Sequence, residues 1–295
     1  MKIILAKSAG FCFGVKRATQ MAFDAAEQKE KICSLGPIIH SPQVVSKLEG
    51  KGVRVVGKVD ELEDCAVIIR SHGVAIEELE GIRERNLEIV DATCPFVKKA
   101  QDFAAQLSRE GYLVVLVGEK DHPEVQGIVS YARDGEVRVV ADRTEAEALP
   151  RTTRMGIVAQ TTQSLENLQD VVDVCLKRSK ELRIFNTICD ATAVRQNEAR
   201  KIAAEVELML VIGGYNSANT NRLAQLCSEL QSQTYHVETA KEIDPKWFAG
   251  VRSVGITAGA STPRWIIDEV VSHVQSISAG EWGTGENLDG VGERK

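Results

Sequence analysis

An apolar run that ends in a cysteine, with a helix start directly after it, occurs three times in this chain and constrains its fold more than any other feature. The clearest case is Val90-Asp91-Ala92-Thr93-Cys94-Pro95-Phe96-Val97-Lys98-Lys99. Gly10-Phe11-Cys12-Phe13-Gly14-Val15-Lys16-Arg17 follows the run Ile3 to Ala6, and Asn186-Thr187-Ile188-Cys189-Asp190-Ala191-Thr192 follows Leu182 to Phe185. The intervals between the three cysteines are similar in length. The chain therefore reads as three units, each opening with a cysteine at a helix start.

The segments after the cysteines carry apolar residues three and four apart, as a helix with one buried face requires. The first places Val15, Ala18, Ala22 and Ala25 on one face, the second Val97, Ala100, Ala104 and Leu107, and the third Ala199, Ile202, Ala203 and Val206. Pro95 suits the first turn of a helix, where its missing N–H is no loss. A cysteine at a helix N-terminus faces the positive end of the dipole and free backbone N–H groups, which favour thiolate over thiol. Thiolate is the form that binds metal. The competing reading is three buried core cysteines, since free cysteine is among the most buried residue types. Cys33 and Cys65 beside short apolar runs, and Cys175 and Cys227 on helical faces, read as core in just that way.

Composition narrows the function classes. With 295 residues, 43% hydrophobic and 26% charged, the chain has the make-up of a globular protein of two or three moderate domains. A net charge of −6 without a dense Lys/Arg stripe argues against nucleic acid as a partner and leaves a small ligand. The apolar run at the N-terminus is too short for a signal-peptide core, and no segment approaches a membrane span of about 20 residues, so a cytoplasmic location is expected. There, seven cysteines are thiols, metal ligands or core residues rather than a disulfide framework.

Short β-branched runs alternate with helical segments, the pattern of parallel α/β units, and each run ends in a polar loop where a ligand site forms in such sheets. Three of the five histidines, His40, His72 and His122, fall in these loops. Gly213 to Asn221 and Gly259 to Ser261 are small-residue turns that could cradle phosphate or simply cap the next helix. Glu124, two residues beyond His122 and stiffened by the intervening Pro123, is the best candidate for an acid in the site. Lys98, Lys99 and Arg195 read as solvated charges in first helical turns. The glycine- and charge-rich end, 281–295, reads as a mobile tail.

Taken with Ser71-His72-Gly73, His122-Pro123-Glu124, Gln160-Thr161-Thr162, Asn216-Ser217 and Thr257-Ala258-Gly259-Ala260-Ser261, the three cysteine motifs make the sequence resemble the 4-hydroxy-3-methylbut-2-enyl diphosphate reductases over residues 1 to about 278. The resemblance implies three α/β domains with pseudo-threefold symmetry around a central iron-sulfur cluster. They would span 13–94, 95–188 and 189–280, with 1–12 contributing a strand. It implies one 4Fe-4S cluster per chain on Cys12, Cys94 and Cys189, with one iron left open. His40, His72, His122, Ser217, Asn219 and Ser261 would hold the diphosphate of an allylic substrate, with positive charge on any histidine that is protonated. Glu124 and Thr161 would stand beside its hydroxyl. The implied activity is removal of that hydroxyl with two electrons and two protons to give isopentenyl and dimethylallyl diphosphates. The electrons would come from an external donor such as ferredoxin or flavodoxin.

Two positions depart from the family's pattern. Ala218 stands where relatives often carry a second serine, and Ser41 follows His40 where asparagine is usual; one lost neutral hydrogen bond costs on the order of 1 kcal/mol in affinity. The alternative from another class is a non-enzymatic iron-sulfur redox sensor or cluster carrier. Such a protein has no use for Glu124, three loop histidines or phosphate-type turns.

Overall fold

The computed structural model describes residues 1–280, and the tail expected at 281–295 lies outside the described residues. The chain opens with β1 (Lys2–Leu5), α1 (Phe13–Gln28), β2 (Ile32–Leu35), α2 (Pro42–Glu49), β3 (Val53–Val56), β4 (Ala66–Ile69), α3 (Ile76–Glu84) and β5 (Ile89–Asp91). It continues with α4 (Pro95–Arg109), β6 (Leu113–Val117), α5 (Pro123–Tyr131), β7 (Val137–Val140), α6 (Arg143–Ala146), β8 (Thr152–Ala159), α7 (Leu165–Leu176) and β9 (Ser179–Ile184). The last stretch is α8 (Asp190–Ala203), β10 (Leu208–Ile212), α9 (Ala218–Ser228), β11 (Thr234–Val237), β12 (Ser253–Ala258) and α10 (Arg264–Ala279).

These strands form three four-stranded sheets ordered β3-β2-β4-β5, β7-β6-β8-β9 and β11-β10-β12-β1. Every pairing is parallel. In the third sheet β1, with Lys2 to Leu5 opposite Ser253 to Ile256, takes the edge that β5 and β9 hold in the other two. The first strand of the chain thus completes the last sheet, and the three sheets become topological equivalents. This is the expected α/β architecture with threefold internal symmetry. The strand before each cysteine belongs to one sheet and the helix after it opens the next unit, so each cysteine sits at a crossing between units.

Chemistry explains the layers. Leu113–Val117 and Leu208–Ile212 are wholly buried apolar runs, as central parallel strands covered on both faces must be. Ala18, Ala22 and Ala25 of α1, Ala100, Ala104 and Leu107 of α4, and Ala199, Ile202 and Ala203 of α8 are buried at the expected spacing. Val15 is only half-buried and faces the central cavity, and Val206 is buried but lies beyond the end of α8. Edge strands β3, β7 and β11 are less buried than the central strands and carry Arg54, Arg138 and His236. Cys33, Cys65, Cys175 and Cys227 are core residues, as expected. No helix among the described residues is long and apolar enough to cross a membrane.

Candidate active site

Each sheet sends three loops toward the molecular centre. The loops before α1, α4 and α8 carry Cys12, Cys94 and Cys189 as the residue just ahead of each helix. The loops after β2, β6 and β10 carry His40, then His122 and Glu124, then Ser217 and Asn219. Those after β4, β8 and β12 carry His72, Thr161 and Ser261. All eleven residues line one cavity, concave and walled largely by apolar atoms with a few convergent polar groups, as small-molecule sites are.

The cavity holds three thiols and no fourth cysteine. Gly14, in the first turn of α1, is what lets the units close: a Cβ there would lie 2.5 Å from Cys94 Sγ and 4.0 Å from Cys12 Sγ. Cys12 Sγ accepts the Val15 N–H at 3.4 Å. Helix N-termini do not decide the protonation of the other two thiols. Burial pushes Cys94 up to about 11 and also raises Cys189, while the Phe96 and Val97 amides at Cys94, and those of Ala191 and Thr192 at Cys189, pull the other way. In the ligand-free protein desolvation wins over the dipole, and the expected thiolate character needs a bound cation to appear.

His40, His72 and His122 form a triangle, with ring centroids 4.3 Å apart for His40–His72 and 5.5 Å for the other two pairs. Their nitrogens lie within 4.8 Å of one another. Burial depresses all three, with Arg70 adding at each and neighbouring imidazoles adding at His72 and His122: His40 and His122 to about 4, His72 well below its usual value. Without a ligand they are neutral at physiological pH, so the positive charge foreseen for them is present only when an anion draws the protons in. His122 Nδ1 accepts the Glu124 N–H at 3.1 Å, which puts the proton of its neutral ring on Nε2.

Glu124 is 2% exposed. The Thr161 N–H donates to its Oε1 at 2.6 Å and Thr161 Oγ1 to its Oε2 at 3.0 Å. Burial outweighs both bonds and raises the carboxyl to about 7, where it can hold and release a proton at neutral pH. On the opposite wall, Ser217 caps α9 through the Thr220 N–H, and Ser261 Oγ donates to His40 O at 3.2 Å. A Cβ on Gly214 would lie 2.9 Å from His40 O, so only glycine lets these two loops pack. Buried polar atoms without a protein partner cluster here: His40 Nε2, His72 Nδ1, and both Nδ2 and Oδ1 of Asn219. Ala218 lines the same wall, whereas Ser41 turns away to donate to Gln43 Oε1.

Two arginines were not recognised as part of the site. Arg195 is not a solvated charge: it is 3% exposed and lines the cavity. Arg70, whose Nε donates to Gly73 O, bears on all three histidines. Their sequence positions carry no signal beyond proximity to Cys189 and His72. Lys98 and Lys99 are exposed as expected, Lys98 paired with Asp91.

The thiol set fits a cluster that keeps one iron free of protein ligands: three sulfurs converge, space between two of them is kept open by Gly14, and unpartnered polar groups face the same cavity. A closed structural zinc site would use four protein ligands.

Comparison with known proteins agrees with this geometry. The 4-hydroxy-3-methylbut-2-enyl diphosphate reductase of Syntrophotalea carbinolica is 70% identical over 278 residues, covering 94% of this chain and all of the relative. That of Geobacter sulfurreducens is 62% identical over 277 residues, covering 94% and 98%. A solved structure of (E)-4-hydroxy-3-methyl-but-2-enyl diphosphate reductase, the terminal enzyme of the non-mevalonate pathway, superposes with a TM-score of 0.67 at 48% identity over 94% of this chain and all of that one. The Plasmodium falciparum E-1-hydroxy-2-methyl-but-2-enyl-4-diphosphate reductase shares the fold, with a TM-score of 0.88 at 24% identity over 99% and 95% of the two chains. The family model described as LytB protein matches residues 3–275, and the chain belongs to the LytB family.

Proposed function

We propose that this protein is a 4-hydroxy-3-methylbut-2-enyl diphosphate reductase, removing the allylic hydroxyl with two electrons and two protons to give isopentenyl or dimethylallyl diphosphate and water. The observation that carries the reading is the meeting, in one cavity, of three thiols with a buried acid and a set of unpartnered polar groups suited to an anion. The same reading divides the chain at 13–94, 95–188 and 189–280, with 1–12 in the third unit's sheet.

Cys12, Cys94 and Cys189 would hold a 4Fe-4S cluster, which when bound supplies electrons and, at the iron without a protein ligand, Lewis acidity toward an oxygen. The chain's own groups do the rest. His40, His72 and His122 receive the diphosphate and take up protons as its charge arrives. Asn219, Ser217 and Ser261 complete the anion's hydrogen bonds from the opposite wall. Glu124, poised near pH 7, supplies a proton to the departing hydroxyl, and Thr161 fixes the carboxyl's orientation through two hydrogen bonds. Dryness matters as well, because charge interactions strengthen where water is excluded. Electrons come from a separate carrier such as a ferredoxin or flavodoxin, and a cytoplasmic location suits a pathway that needs one. A cluster-bearing sensor would leave Glu124 and the unpartnered groups without a task.

The test is anaerobic purification with iron and sulfide counted per chain, followed by incubation with the allylic diphosphate and a reduced dye. The expected result is four iron and four sulfide per chain and formation of both five-carbon diphosphates. Clusters without any product would favour the sensor, and absence of iron would overturn both.

A further inference from the structure

Among the described residues Arg195 is the one cavity residue with a permanent charge, and nothing negative is bonded to it. Its guanidinium donates to three main-chain carbonyls: Nε to Ser8 O at 3.1 Å, Nη1 to Ala191 O at 3.3 Å and Nη2 to Gly10 O at 2.8 Å. Among the described residues it makes no ion pair. The nearest carboxylate that bears on it, Glu198, is engaged by the Lys7 and Ser8 N–H groups and the Ser8 hydroxyl. Burial pulls the pKa of Arg195 down, and the neighbours that oppose this are Cys12 and Cys189, ahead of Glu198. An unpaired buried cation is costly, and a protein retains one where a buried anion arrives to meet it. Arginine also keeps its charge under burial where lysine readily loses it.

We infer that Arg195 is the built-in counter-ion of the thiolate-held cluster, standing beside Cys12 and Cys189 and tying the Ser8–Gly10 loop of one to the helix of the other. The inference rests on the cluster reading above. A fixed positive charge stabilises the more negative, reduced cluster over the oxidised one, so it raises the reduction potential; charge, burial and hydrogen bonding are the levers a protein has over such a site. Arg195 is then a positioning residue that acts through the cluster and does not touch substrate.

The experiment compares the anaerobic holoprotein with its Arg195→Gln and Arg195→Lys variants, measuring iron per chain and the reduction midpoint by a mediated dithionite titration followed by electron paramagnetic resonance. Arg195→Gln is expected to lower the reduced-to-oxidised ratio at a given potential about tenfold or more, a midpoint 59 mV or more below the parent for a one-electron couple. Arg195→Lys, whose ammonium is held protonated by the negative cluster beside it but which lacks the three-point anchor, should stay near the parent's midpoint. Loss of iron from the Gln variant alone, with the Lys variant loaded and near the parent's midpoint, supports the inference equally. An unchanged midpoint in Arg195→Gln overturns it, as does an equal shift in both variants, which would mark the anchor rather than the charge. If neither variant loads iron although both keep the parent's circular dichroism and melting temperature, the residue serves ligand geometry and the inference falls. A parent without iron ends the cluster reading itself, a failure distinct from all of these.

Discussion

Gly14→Ala separates the demands of the fold from those of the bound group. The added methyl carbon would lie 2.5 Å from Cys94 Sγ and 3.3 Å from Cys94 Cβ. Ordinary contact requires roughly 3.5–4.0 Å, so sulfur and methyl must part by about 1 Å or more. In the ligand-free protein the Cys94 side chain can rotate away. Overpacking there costs about 1–3 kcal/mol, and replacing glycine inside a helix returns about 0.5–1 kcal/mol. The net effect is at most about 2.5 kcal/mol, a melting-temperature drop of no more than ~10 °C. A thiolate bonded to iron has no such freedom, because ligand distances tolerate about ±0.2 Å. The variant should therefore fold and lose its iron, by at least the roughly 10–100-fold in affinity that disturbing a ligand's surroundings costs. Iron per chain and visible absorbance after anaerobic reconstitution, read beside the thermal melt of the iron-free protein, decide the matter. Parent-level iron in a folded Gly14→Ala protein would refute the claim that this glycine holds the space between the two sulfurs.

Serine at Cys12, Cys94 or Cys189 should abolish most iron binding and turnover, while serine at Cys33, Cys65, Cys175 or Cys227 should spare both; iron per chain for all seven variants reads this directly, and full occupancy in Cys94→Ser would contradict the ligand set. Glu124→Gln should keep its iron and its diphosphate affinity and lose turnover by roughly 10²–10⁴-fold, so a rate within about threefold of the parent removes Glu124 from proton delivery. Stability of the iron-free, ligand-free protein should depend on pH. His40 and His122, held at about 4, and His72, held well below its usual value, refuse protons that unfolded imidazoles accept below about 6.5, so their contribution is full above that pH and lost as pH falls toward 4. Glu124, raised to about 7, acts oppositely: its contribution is full below about 4.5 and lost as pH rises through 7. Three imidazoles outweigh one carboxyl, so melting temperature should fall between pH 6.5 and 4; a profile that His72→Gln leaves unchanged would contradict the assignment.

The threefold plan was legible because parallel strands, buried on both faces, leave continuous apolar runs, and because Pro95 and the alanine spacing mark helix starts and faces. Edge strands β3, β7 and β11 were not, since their exposed faces admit Arg54, Arg138 and His236 and so erase the apolar run. Cys12, Cys94 and Cys189 could be singled out by their shared context. The role of the others depended on the resemblance, because a loop histidine or serine has the same local sequence whether it binds a ligand or water. Arg195 shows the limit most plainly. On a helix this polar, an arginine nearly two turns past the cysteine has the pattern of a solvent charge, and only the packing of the Ser8–Gly10 loop, some 185 residues away in sequence, buries it.

Symmetry in the backbone and asymmetry in the side chains together explain how such a site arises. The three equivalent crossings carry one residue type, Cys12, Cys94 and Cys189, as the proposed cluster would require, since a compact cluster presents the same chemistry to each unit. The loops after β2, β6 and β10 hold His40, His122 with Glu124, and Ser217 with Asn219; those after β4, β8 and β12 hold His72, Thr161 and Ser261. A substrate with a charged end and a reacting end cannot obey a threefold axis, so these six loops had to diverge. On the proposed reading, histidines of the first two units and Ser217, Asn219 and Ser261 of the third would surround the anion, while Glu124 and Thr161, both of the second unit, bond to each other. The proposed proton donor is thereby confined to one side of the cavity, and a substrate anchored by its diphosphate as proposed would present its hydroxyl to Glu124 in only one orientation.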